Sequence, residues 1–306
     1  MLRALFIGLS TSKSLRSFAE KSPVGRKMSR RFVAGEQLPD AVAATEAVNK
    51  LGIRVSIDNL GENVTNPDEA RESAKLYHGM LDEIHTRGLD ANISLKLTHM
   101  GLDVDEGLCH ELVSELIDHA VSINNFVRVD MEGSPYTQRT LEFVKQQHKL
   151  AGHDKRVGTV LQSYMRRSVS DAEDLISNGI RIRLCKGAYK EPPEIAYQAK
   201  SEVDANFVKL TKMLIKSGIF HGIATHDEAI ISETVRFARA ERIPPEAFEF
   251  QMLYGIRRDL QQKLVKDGWG MRVYIPFGTE WYPYLMRRLA ERPANALFIA
   301  KNLLRS

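Results

Sequence analysis

Cysteine is nearly absent: Cys109 and Cys185 are the two thiols in 306 residues. They stand far apart and in no metal or redox spacing, which argues against a disulfide framework and fits a reducing compartment. Long hydrophobic runs are missing too. No stretch approaches the roughly 20 apolar residues needed to span a bilayer. The nine histidines form no HExxH and have no clustered acidic partners, which argues against a metal centre. No Pro/Ser-rich linker, internal repeat or low-complexity tract divides the chain, so one catalytic domain is the economical reading. What remains is ordinary for a globular protein, at 43% hydrophobic and 27% charged residues.

The charge is unevenly spread. Met1 to Arg31 holds eight basic residues and one acid, Glu20, a local excess of seven; with a net charge of +4, the rest of the chain is at −3. The segment opens on an apolar patch (Leu2, Leu5, Phe6, Leu9) and continues as a basic amphipathic stretch. It is a poor signal peptide, because the apolar core is short and no clean small-residue cleavage site follows. Two readings stand: a helix packed on the body of the protein, or a peripheral contact with an anionic membrane. Nucleic acid is not expected as a partner, since the excess is local and no recognition motif accompanies it.

Eight segments rich in apolar and β-branched residues read as buried parallel strands: 54–60, 92–97, 126–131, 158–163, 180–187, 221–226, 248–253 and 271–276. Amphipathic helices lie between them. Asn66-Pro67 opens one and Gly88 closes it; Ser170-Asp171 opens another, ended by Gly179; Asp227 opens a third. Alternating strand and helix implies right-handed βαβ units and a parallel sheet. No GxGxxG turn follows the first strand, which counts against a doubly wound dinucleotide fold. The expected fold class is therefore α/β, a (β/α)8 TIM-type barrel over residues 40–306, preceded by a basic helical arm (1–39) and ended by C-terminal helices. A helix over 40–51 is expected to close the bottom of the barrel.

In such barrels the active site lies at the C-terminal ends of the strands. Nearly every strand here carries a polar group at that end: Lys96; Asp130, then Met131 and Glu132; Gln162 and Ser163; Arg183 running into Lys186-Gly187-Ala188-Tyr189; Thr225-His226-Asp227; Leu253-Tyr254-Gly255; and Tyr274. Each has a plain alternative. Lys96 could pair with an acid at the mouth, Asp130 could cap a helix, Arg183 could pair with Asp130, Gln162 could satisfy a buried backbone group, and His226 could sit at a helix start. A strand built only for packing needs none of them. Beyond the last strand a helix carries Tyr284, Arg287, Arg288 and Glu291 within two turns. Adjacent guanidiniums repel each other, so a chain that keeps them together usually holds an anion. Arg presents a planar fork that matches a carboxylate with two hydrogen bonds. Tyr284 shares their face, so the face reads as a pocket for a small acid with an apolar body.

LCKGAYKE (184–191), ATHD (224–227), FEFQMLYGI (248–256) and RVYIPFGTEWYPYLMRRLAE (272–291) closely resemble the proline dehydrogenase family. The resemblance runs from about Arg31 to the C-terminus, and the segment with the paired arginines is its specific part. The length is like that of the small monofunctional form. The resemblance implies non-covalent FAD, oxidation of L-proline to Δ1-pyrroline-5-carboxylate, and transfer of electrons to a membrane quinone. It implies that Arg287, Arg288 and Lys96 hold the substrate carboxylate, that Asp130 pairs with those arginines, and that Leu253, Tyr274 and Tyr284 wall the ring. It makes Arg183 the residue facing flavin N5, Met131 and Gln162 isoalloxazine contacts, and Lys186, Gly187, Ala188, Thr225 and His226 contacts along the rest of the cofactor. A pyrroline-5-carboxylate dehydrogenase would receive the product. Docking of residues 1–31 on the inner face of the cell membrane would bring a cytoplasmic enzyme to its quinone. The alternatives are hydroxyproline oxidation on the same fold, a Schiff-base aldolase using Lys96 or Lys186, and a non-catalytic amino-acid-binding barrel.

Overall fold

The computed structural model describes residues 29–291, with side chains through Met286. Eight parallel strands close into a barrel in sequence order, β1 pairing with β8 to seal it. The strands are β1 (Arg54–Asn59), β2 (Ala91–Leu95), β3 (Val127–Val129), β4 (Val157–Gln162), β5 (Arg181–Cys185), β6 (His221–Ala224), β7 (Phe248–Leu253) and β8 (Gly270–Phe277). All eight fall within a few residues of the expected segments. The sheet ends slightly earlier than expected in β2, β3, β5 and β6. Lys96, Asp130, Lys186, Thr225 and His226 therefore stand just past the last paired residue, at the mouth.

The helices in chain order are α1 (Leu38–Asn49), α2 (Pro67–Thr86), α3 (Glu106–Ser122), α4 (Ser134–His148), α5 (Ser168–Ser177), α6 (Lys200–Lys216), α7 (Glu228–Ala240), α8 (Arg258–Lys266) and α9 (Trp281–Glu291). Two of the three expected starts hold: the Asn66 side chain accepts from the Glu69 N–H, and the Asp227 side chain from the Ala229 N–H. The third does not. α5 begins at Ser168, and Asp171 lies inside its first turn, taken up by an ion pair with Arg167 at 2.8 Å.

The helix expected to close the bottom is instead part of the outer ring. α1 packs against β8 and β1. It starts beside the mouth, where the Ala34 N–H donates to the Pro276 carbonyl, and ends at the opposite rim, where Asn49 donates to the Ile53 and Asp90 carbonyls. By filling the β8–β1 gap it leaves that place unavailable to the helix that follows β8. Accordingly α9 packs at the mouth, with Trp281, Tyr282, Tyr284 and Leu285 clustered on Leu60, Phe32 and Val33.

Alternation along the strands separates two environments. In β1, Val55 and Ile57 face the apolar layer under the helices and are fully buried there. Arg54, Ser56 and Asp58 face the axis. Two buried ion-pair layers stack inside the barrel. Lower down, Glu249 binds Arg272 at 2.6 Å and Arg54 at 3.4 Å, and Arg272 also donates to the Val55 carbonyl. Burial would raise the Glu249 carboxyl, but Arg272 and Arg54 hold it below its ordinary range. The upper layer is the candidate site.

Candidate active site

Arg183 on β5 is the centre of the upper layer. Its Nε donates to Gln251 Oε1 at 2.6 Å, its Nη1 to Asp130 Oδ1 at 2.9 Å, and its Nη2 to Ser56 and Ser94 Oγ, both at 3.0 Å. Gln251 is itself held by Glu249 at 2.7 Å, so the two layers are joined. The guanidinium also lies 5.3 Å from the centre of the Tyr274 ring. A planar fork with five donors suits this position, because side chains from four strands and Asp130, just past β3, surround it.

Above Arg183 the mouth is lined by Asp58, Lys96, Asp130 and Tyr274. The Tyr274 hydroxyl donates to Asp58 Oδ2 at 2.5 Å and stands 3.5 Å from Asp130 Oδ2. Lys96 Nζ is 3.6 Å from Asp58 Oδ2. Burial alone would pull the Lys96 ammonium down; the carboxylates of Asp58, Asp130, Glu62 and Glu132 outweigh it, leaving Lys96 raised and charged. Asp130 goes the other way for its class. Burial pushes its carboxyl up and the Asp58 charge adds to this, while Arg183 and Lys96 only partly offset them. The Tyr274 phenol is raised well above its ordinary value by burial and both carboxylates, so it is a hydrogen-bond donor, not an acid.

The expected partners of Asp130 were the paired arginines. Its described ion-pair partner is Arg183, the pairing that is the plain alternative for Arg183. The helix cap that is the plain alternative for Asp130 is not what its side chain makes. The side chains of Arg287 and Arg288 lie outside the described residues; their backbone positions are on α9, the helix at the mouth. Tyr284, three residues earlier, is buried in the cluster with Phe32 and Leu60 and close enough to Tyr274 to influence its titration.

Around the rim, Gln162 at the end of β4 donates from Nε2 to the Met131 and Glu132 carbonyls at 3.1 and 3.0 Å. Its Oε1 is buried without a hydrogen-bond partner among the described residues. A buried acceptor left open in this way is costly unless a ligand N–H or a water meets it. Past β5, Lys186 binds Asp204 at 2.5 Å and Asp227 at 3.1 Å. Gly187 has a φ of 103° and lies against the Tyr164 ring, so close that a Cβ would be 2.3 Å from it. The loop beyond, which includes Ala188, is tied down by Glu191, whose carboxylate accepts from the Ser134 N–H at 2.7 Å and Oγ at 2.6 Å at the start of α4. Thr225 Oγ1 accepts from the Asp227 N–H at 3.1 Å, and His226 Nε2 from the Leu253 N–H at 3.0 Å. His226 thus also fixes the backbone at Leu253, one of the expected ring walls.

Both mouth lysines are ion-paired and Lys96 is raised, the reverse of what a Schiff-base nucleophile needs. Among the described residues, no group of three His, Cys, Asp or Glu side chains could hold a metal ion.

The sequence reading missed Asp58, Ser56, Ser94 and Gln251. Asp58 had a signal: an acid inside the apolar β1 segment, on the same strand face as Ser56. Gln251 had the matching one on β7.

A model of the proline dehydrogenase family matches residues 41–301. The chain is 39% identical over its whole length to proline dehydrogenase 1 of Bacillus subtilis subsp. natto, all of which it covers. It is 40% identical to the proline dehydrogenase of Deinococcus radiodurans over 91% of this chain and 90% of that one.

The chain belongs to the proline dehydrogenase family.

It is an oxidoreductase of proline catabolism. Its barrel superposes with a TM-score of 0.81 on proline utilization A from Bdellovibrio bacteriovorus, a structure described as inactivated by N-propargylglycine, at 25% identity over 87% of this chain. The present chain spans about a third of that protein, 32% of its length. The barrel of proline dehydrogenase is therefore also found within a much longer chain. No helix among the described residues is long and apolar enough to cross a membrane.

Proposed function

We propose that this proline dehydrogenase binds FAD non-covalently, oxidises L-proline to Δ1-pyrroline-5-carboxylate, and passes the electrons to a membrane quinone. The observation that supports this reading is the mouth network, in which one lysine, one arginine, two carboxylates and a tyrosine converge at the C-terminal end of the barrel. Proline has one carboxylate and an apolar ring, and the mouth offers cations for the first and Leu253, Tyr274 and Tyr284 for the second. Fixing the acid end aligns the ring for reaction and removes an orientational cost.

The residues present also fit the cofactor. Gln162 Oε1 is the open acceptor that a flavin ring N–H would satisfy, with Met131 beside it. Lys186, Gly187, Ala188, Thr225 and His226 would hold the remainder, Gly187 allowing close backbone approach. Bound FAD would supply the hydride acceptor. Arg183 would face the developing negative charge, and Asp130, Gln251, Ser56 and Ser94 hold that guanidinium so that it need not reorganise during the reaction. Asp130 would offset the repulsion between Lys96 and Arg183 when no substrate carboxylate is present. The product would pass to a separate pyrroline-5-carboxylate dehydrogenase. Residues 1–31 would bring the cytoplasmic protein to the inner face of the membrane, where the quinone resides.

The test is an absorbance spectrum of the purified protein before and after anaerobic L-proline. Flavin bands that bleach support cofactor, substrate and hydride direction together. Bands that stay with proline but bleach with hydroxyproline would replace the substrate. The absence of flavin bands after incubation with FAD would overturn the reading.

A further inference from the structure

Asp58 is fully buried, at 0% exposure, near the mouth end of β1, and its two oxygens do different work. Oδ1 accepts from the hydroxyl of Tyr77 at 3.1 Å. Tyr77 belongs to α2, outside the barrel wall, and its hydroxyl also accepts from the Asn59 N–H. Oδ2 faces the mouth and meets both the Tyr274 hydroxyl at 2.5 Å and Lys96 Nζ at 3.6 Å. One carboxylate thus ties an anchored helix to a cation and an aromatic wall of the pocket.

We propose that Asp58 is a positioning residue that holds Lys96 and Tyr274 as one unit toward the substrate, Lys96 for its carboxylate and Tyr274 for its ring. The proposal rests on the roles given above to those two residues.

Three arguments support it. First, packing does not require a charge here. A carboxylate buried this deeply is often worth less to stability than an apolar side chain of the same shape. Second, the charge has a nearby use. Lys96 stands among Asp58 and Glu62 from β1 and its following loop, Asp130 and Glu132 from β3 and its loop, and His99 from its own loop; Tyr274 on β8 completes the surround. Of the carboxylates, Asp58 exerts the largest pull on Lys96. Asp130 is committed to Arg183 and Glu132 to the Thr98 hydroxyl and N–H. Third, the geometry couples two functions. If Oδ2 is lost, the Tyr274 hydroxyl keeps only its 3.5 Å approach to Asp130, and the ring wall and the cation both lose their tether.

A sign follows for pH. Without the Asp58 charge, burial draws Lys96 down, so it loses its proton at lower pH. An opposite charge within about 4–6 Å accounts for about 1–3 pH units.

The experiment uses the FAD-loaded enzyme and cyclopentanecarboxylate as a competitive inhibitor. That probe carries the acid and the ring but no amine, so the alkaline limb of its inhibition profile reports protein groups. Asp58→Asn is expected to weaken inhibition about tenfold near neutrality and to move the alkaline limb down by about one unit or more, with flavin retained. Tyr77→Phe, which removes only the outer hydrogen bond, is expected to stay within about twofold, given the modest worth of one neutral hydrogen bond. An Asp58→Asn profile that superposes on the wild type overturns the proposal. Should Asp58→Asn not fold, Asp58→Glu decides. It keeps the charge and displaces it by one methylene, and is expected to raise the proline KM severalfold while keeping the alkaline limb. An unchanged KM overturns the proposal. Lys96→Met separates the two levels of inference. If it leaves inhibition intact, the role of Lys96 is wrong; if it abolishes the alkaline limb while Asp58→Asn does not shift it, only the role of Asp58 is wrong.

Discussion

Arg183 reaches from β5 to Asp130 beyond β3, 2.9 Å from nitrogen to oxygen, and both side chains are largely shielded from water. The pair spans the barrel interior above β4. It is held from the sides by Ser56, Ser94 and Gln251, so neither partner can turn away without leaving a buried donor or acceptor open.

Removing one member of such a pair leaves the other charge uncompensated. Arg183→Met is expected to destabilise the protein by about 3–5 kcal/mol, read as a lower denaturation midpoint in urea. In the protein that still folds, the rate of flavin reduction by proline should fall more than proline affinity does. A variant as stable and as fast as the parent would remove Arg183 from both roles.

The α9 arginines test the carboxylate clamp. Losing one charge-assisted hydrogen-bonded pair costs about 1.5–3 kcal/mol, so Arg287→Ala or Arg288→Ala should raise the proline KM roughly 10- to 150-fold with flavin still bound. Steady-state kinetics and the flavin-to-protein absorbance ratio check both halves.

Gly187 occupies a backbone conformation that a side chain strains, and a Cβ would strike the Tyr164 ring. Gly187→Ala is expected to cost more than about 1 kcal/mol and to displace the turn after β5. Weaker FAD retention during gel filtration, with Gly218→Ala as a positive-φ control that meets no neighbour, would locate the effect at the turn.

Two buried histidines set a pH dependence of stability. Burial lowers His221 to about 3, and burial together with Lys96 lowers His99 to about 4. Both are neutral in the fold and take up a proton more readily when unfolded. Their contribution is therefore complete above the unfolded value near 6.5 and is lost as pH falls from there toward the folded values, by about 1.4 kcal/mol per pH unit for each group. His221→Gln should flatten the denaturation midpoint between pH 6 and 4. A curve as steep as the parent's would place the acid sensitivity elsewhere.

Residues 1–20 test the membrane reading. Their deletion is expected to lower vesicle association and quinone-coupled turnover while sparing turnover with a soluble dye. Equal losses with both acceptors would count against a docking role.

Much of this protein is legible in its sequence, because periodicity and composition are local. The eight β-branched segments sit where the strands are, since a parallel strand covered on both sides needs apolar residues at close intervals. The closed barrel followed from their number and order. The polar residues at the strand ends were legible for the same reason, as exceptions to an apolar pattern. What the sequence could not show is which polar residues meet. Ser56 and Arg183 are 127 positions apart and share a hydrogen bond because closure brings β1 and β5 across one axis. Asp58 looked like one acid in a strand until Tyr77, Lys96 and Tyr274 converged on it from three other elements. The place of α1 was likewise undecided locally: its apolar face suits the ring or the floor equally well. It was decided by the β8–β1 gap, and filling that gap left the mouth to α9. Residue types and strand phase are properties of the chain. Partners, burial and the charge each carboxyl feels depend on closure, which sets distances between segments remote in sequence.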